Sequence, residues 1–89
     1  MLAQPGKLAF QVPANWPDGT VEVDVHDGEE WQLTDSWQHQ QQASRRLLRR
    51  PAGAHRWRLR LWARDDEAVL ERSGTTVVTA GATAVAPLH

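Results

Sequence analysis

The ten residues from His55 to Arg64, HRWRLRLWAR, restrict the fold more than any other stretch of the chain. Successive side chains of a strand point to opposite faces. Trp57, Leu59, Leu61 and Ala63 therefore fall on one side, with Arg56, Arg58, Arg60, Trp62 and Arg64 on the other. On a helical period the same arginines would be scattered around the circumference and no apolar stripe would remain. The segment is predicted to be a half-buried strand with its apolar side in the core. Its other side sets guanidinium groups about 7 Å apart along the strand, around one indole. A folded chain must pair such a row internally or present it to a partner.

The remaining segments read mostly as short strands. Lys7 to Pro13 places Leu8, Phe10 and Val12 on one face and ends at a proline that cannot donate to a ladder. Asn15 to Gly19 has turn composition, and Trp16 within it is expected to close one end of the core. Thr20 to Val25 alternates cleanly, with Val21, Val23 and Val25 inside. In HDGEEWQL, a two-residue turn on Asp27 and Gly28 would mix core and solvent positions on one face. A three-residue loop of His26, Asp27 and Gly28 instead pairs Val23 with Trp31 and Val21 with Leu33, which is the preferred reading and puts Trp31 inside. Thr34 to Arg50 makes a poor helical stripe and is read as a long polar crossing with a short strand at Arg46 to Arg49. After the organising strand come a turn at Asp65 to Glu67, a short strand at Ala68 to Glu71 and a turn at Ser73 and Gly74. Thr75 to Ala80 reads as a final β-branched strand.

Six or seven short strands with closely spaced turn signals predict an all-β chain, a small antiparallel β-sandwich. The run Trp57, Leu59, Leu61, Ala63, entered through Pro51, Ala52 and Gly53, resembles a strand of fibronectin type III and related immunoglobulin-like domains. In that family an aromatic begins an alternating aliphatic run ending in alanine. The likeness spans Pro51 to Arg64, and it implies an Ig/FN3-like arrangement and a binding or spacing module, although fold alone does not specify function. The 89 residues make one domain, 1–89, with 82–89 as an extended tail.

Charge is segregated along the chain. Residues 1–44 hold one lysine against seven acids, and residues 45–89 hold nine arginines against four acids. Acidic and basic strands can pair within one molecule, or the molecule can carry complementary surfaces for copies of itself or for a charged partner. With no cysteine, disulfides and cysteine-ligated metal are excluded, and a reducing compartment is compatible. The N-terminal MLAQPGKLAF has no apolar core, and no run approaches the length of a membrane span. The expectation is a soluble, unprocessed protein of the cytoplasm or of a virion, without membrane contact.

Chemical motifs are sparse. Asp24, His26 and Asp27 carry metal-type ligands, but alternation lets only two converge. Asp35, Ser36 and His39 have the residue types of a hydrolase triad without the strained glycine elbow that exposes such a serine. No phosphate loop or nucleotide fingerprint occurs, so the expectation is no enzyme, no cofactor and no metal. Three binding functions remain. Arg45, Arg46, Arg49 and Arg50 with the strand arginines could track a single-stranded nucleic acid while Trp62 stacks on a base, but the acidic first half disfavours it. Trp16, Trp37 and Trp62 are candidate glycan platforms. The preferred expectation is a structural or assembly protein, such as a viral or phage particle subunit or decoration protein. It would bind a protein partner or itself through Arg56, Arg58, Arg60, Trp62 and Arg64.

Overall fold

Period-two alternation runs through nearly every segment. The computed structural model, which describes residues 4–40, 42–62 and 68–88, resolves it into seven strands. These are β1 (Gly6–Val12), β2 (Gly19–Asp27), β3 (Glu30–His39), β4 (Ser44–Arg50), β5 (Gly53–Trp62), β6 (Ala68–Val78) and β7 (Thr83–Val85). One sheet has the order β4-β1-β7 and the other β3-β2-β5-β6. All pairs are antiparallel except β1 with β7. The two sheets form the expected all-β sandwich. Among the described residues no helix is long and apolar enough to cross a membrane.

The core lies where the apolar faces of the sheets meet. Leu8, Phe10 and Val12 of β1 and Leu48 of β4 pack toward Val21, Val23 and Val25 of β2 and Trp57, Leu59 and Leu61 of β5. The Trp57 ring is fully buried, meets Phe10 edge-on at 5.5 Å, and donates from Nε1 to Thr76 Oγ1 at 2.9 Å. An aromatic of this size removes about 150–250 Å² from water, and an edge-on pair adds about 1 kcal/mol beyond that burial. Trp16 closes one side as expected, buried beneath the Arg72 guanidinium, while Arg72 Nε donates to the Leu88 carbonyl at 3.3 Å. The tail is more than a tail: β7 adds to the edge of β1, and Ala86 and Leu88 enter the core.

Three expectations are corrected. The first hairpin turns on Gly28 and Glu29, not on a three-residue loop. The last pair is Asp27 with Glu30, and Gly28 takes φ +68°, as primed hairpin turns demand of their first residue. His26 consequently faces Trp31, and Trp31 lies on the outer face rather than inside. The register then shifts at Val23 and Asp24, where Thr34 is the extra residue. That bulge brings Trp37 opposite Val21 and into the core.

Second, the polar stretch is strand over most of its length. β3 continues to His39, and β4 spans Ser44 to Arg50 rather than only Arg46 to Arg49. Its inward positions have partners that a helical or loop reading could not foresee. Trp37 Nε1 donates to Ser44 Oγ at 3.2 Å, and the Arg46 guanidinium lies over the Trp37 ring at 5.2 Å.

Third, Ser73 and Gly74 form no turn, and no separate strands flank them, because β6 runs unbroken from Ala68 to Val78. Gly74 stands opposite Trp57 in the ladder, and a Cβ there would lie 3.0 Å from Trp57 Cζ2. This glycine makes room for the largest fully buried side chain. The expected turn at Asp65 to Glu67, with Ala63 and Arg64, lies outside the described residues.

Replacing Gly74 with alanine is expected to lower stability by about 1–2 kcal/mol, because the enclosed Trp57 ring has no room to yield. Urea unfolding followed by tryptophan fluorescence checks this, and an unchanged midpoint would refute the packing role.

Candidate functional site

Alternation along β5 delivers Arg56, Arg58, Arg60 and Trp62 to the outer face of the four-stranded sheet, while Arg64 lies outside the described residues. The neighbouring strands determine what these side chains meet. In register, Asp24 of β2 stands opposite Arg58, and Arg60 lies between Glu22 of β2 and Glu71 of β6. Ser73 and Thr75 of β6 flank Arg58 and Arg56.

Asp24 is the centre of this face. Its residue is only 4% exposed, yet it sits on the side of the sheet turned away from the core. Its Oδ2 accepts from Arg58 Nε at 3.1 Å, from Arg58 Nη2 at 2.7 Å and from Arg60 Nη2 at 2.9 Å. The long arginine stems cover the carboxylate and remove it from water while their heads neutralise it. Aromatic rings support the heads from the other side. Arg58 lies over Trp31 at 4.6 Å, Arg56 over the same ring at 5.6 Å, and Arg60 over Trp62 at 5.0 Å. His26 meets Trp31 edge-on at 5.1 Å. Stacking of this kind contributes about 0.5–1 kcal/mol at exposed positions and more where water is excluded.

Arg58 and Arg60 therefore have their counter-ion within the molecule. Arg56 differs, being exposed and forming no ion pair among the described residues. Beside it lies a depression of about 370 Å³ lined by Trp31, Arg56, Arg58, Glu71, Ser73 and Thr75. Gly74 and Trp57 complete the lining. The depression offers cationic and hydroxyl donors around an aromatic wall, with the Glu71 carboxylate also on its lining, and the donors suit a carboxylate or another acceptor held away from Glu71.

Two participants escaped the sequence reading. Trp31 was expected inside because the hairpin loop was taken one residue too long. Asp24 was placed on the outer face by alternation, but its partners follow from the register, which sets it opposite Leu33 of β3 and beside the arginines of β5.

The other candidate constellations are dispersed. Trp16 and Trp37 are 9% and 6% exposed and belong to the core, which leaves Trp62 alone of the three glycan platforms on an outer face. The four arginines of β4 belong to the opposite sheet and form no continuous track with Trp62. Ser36 is exposed opposite Glu22, while His39 is buried on the inner side, so Asp35, Ser36 and His39 are not brought together. Among the described residues no group of three metal-type ligands occurs.

Replacing Arg58 and Arg60 together with serine is expected to cost about 2 kcal/mol, because Asp24 loses its three charge-assisted hydrogen bonds while the shortened side chains let water reach only part of the carboxylate. Replacing Asp24 as well, with serine, should restore part of the loss. Denaturant unfolding of the double and triple variants checks this, and a triple variant no more stable than the double would contradict the account.

Comparison of the chain with protein-family models, with curated proteins and with solved structures returned no match.

Proposed function

We propose that the chain is a non-enzymatic docking or assembly protein that binds a carboxylate-bearing protein surface through the outer face of β5 and its neighbours. The observation that carries this reading is the depression beside Arg56. A guanidinium without an ion-pair partner among the described residues stands there next to an arginine already immobilised by Asp24 and Trp31. Side chains held in place before binding lose little rotamer entropy on association, which is where much of the cost of an interface lies. Arginine and tryptophan are also the residues that most often dominate binding energy in protein contacts.

The finer architectural reading is an immunoglobulin-like sandwich related to fibronectin type III domains. Supporting it are seven strands in two sheets and the hairpins β2–β3 and β5–β6, which share a sheet with β2 beside β5. Modules of this architecture act mainly as binding or spacing units, in keeping with a docking role, though the assignment of function rests on the site.

A photo-crosslinking residue in place of Thr75 tests the proposal in extract from the source cells. It should join the chain to an acidic protein segment, and Arg56→Ala should cut the yield about tenfold or more while leaving the unfolding midpoint unchanged. A yield unaffected by Arg56→Ala, or crosslinks to nucleic acid or glycan alone, would remove this face as a protein docking site.

A further inference from the structure

The charge segregation of the sequence takes a new form in the fold. β1, β4 and β7 together carry Lys7, Arg45, Arg46, Arg49 and Arg50 and not one acidic residue. All eight acids among the described residues, with Arg56, Arg58, Arg60 and Arg72, belong to the four-stranded sheet and the segments between strands. The sandwich is thus strongly basic on one sheet and acidic elsewhere. Among the described residues none of the five cations of the three-stranded sheet forms an ion pair.

The outer face of this sheet has a definite pattern. Alternation turns Lys7, Ala9 and Gln11 of β1 outward, together with Arg45, Leu47 and Arg49 of β4. In register, Leu47, Ala9 and Val85 form one row across the three strands. Leu47 and Val85 are 47% and 49% exposed, whereas Ala9 between them is fully covered. Lys7 stands opposite Arg49 on one side of the row and Gln11 opposite Arg45 on the other. An apolar stripe bounded by cations fits a protein surface that is apolar at its centre and acidic around it. A nucleic acid would find phosphate contacts here but no aromatic ring to stack on.

The complementary surface occurs on the same chain. At the tip of the β2–β3 hairpin, Glu29 and Glu30 are both exposed, and nearby Leu33 is 59% exposed. We infer that the β2–β3 tip of one copy docks on the outer face of the three-stranded sheet of a second copy, with the glutamates against Arg45, Arg49 and Lys7. Leu33 then meets the row formed by Leu47 and Val85. Two different surfaces meet, so the contact is head-to-tail, and repetition gives rings or open chains rather than a closed pair. The arginines along the free edge of β4 also discourage strand-to-strand addition there, which leaves the face as the available surface. Leu33, opposite Asp24, lies at the β3 end of the same outer face as Arg56, so this contact borders that face without using Arg56.

Sedimentation velocity of the full chain tests the inference. At about 0.03 M salt the weight-average sedimentation coefficient should rise steadily with concentration, and about 0.5 M salt should weaken association about tenfold or more. The variants E29K/E30K and R45E/R49E change only exposed side chains, and circular dichroism confirms that each is folded. Each alone should sediment as a monomer. Mixed one to one they should associate again, because each tip then meets an oppositely charged face. Arg56→Ala should leave association unchanged. A wild-type chain that is monomeric at every concentration and salt overturns the inference. So does self-association retained by either charge variant, a mixture that stays monomeric, or binding of an oligonucleotide to the basic face in place of a second copy.

Discussion

The fold depends on the accommodation of one indole. Trp57 starts the apolar run of β5 and is the largest fully buried side chain, so the elements around it are arranged to enclose it. Phe10 meets it in a T-shaped contact from the opposite sheet, Thr76 takes its only polar hydrogen, and Gly74 withdraws a side chain that would collide with the ring. These three contacts tie β5 to β1 and to β6. They also explain an unbroken β6, whose glycine serves ring packing rather than chain reversal.

The opposite side of the same strands solves a second problem. A row of arginines on a sheet repels itself unless a counter-charge is present, and the pairing of β2 with β5 supplies one at Asp24. A single buried carboxylate cannot be left unpaired without a penalty of several kcal/mol, so the arginines stabilise Asp24 as much as it orders them. The result is a rigid surface of interleaved acids, cations and indoles in place of a bare cationic stripe. Arg56, at the end of this network, forms no ion pair among the described residues.

The two outer faces of the sandwich therefore differ in kind. One has its charges largely matched within the molecule and presents a depression with few open valences. The other has five cations with no ion pair among the described residues, set beside an exposed apolar row.

Strand identity was legible from the sequence wherever alternation was regular, because the two-residue period of β1, β2 and β5 depends only on local backbone geometry. The same period placed Trp57, Leu59 and Leu61 inside and Arg56, Arg58, Arg60 and Trp62 outside, and close turn signals pointed to two packed sheets. Registers and partners were not legible. The Gly28–Glu29 turn, the bulge at Thr34 and the passage of Gly74 beneath Trp57 each shift or join segments according to contacts made by residues far away in the chain. Trp31 on the outer face and the sharing of Asp24 by two arginines follow from those registers. The sequence by itself determined which residues alternate and how charge is divided between its halves, since both are local properties. Only the tertiary structure decided which charges cancel and which remain open, because that depends on strand neighbours that loop lengths and side-chain packing select together.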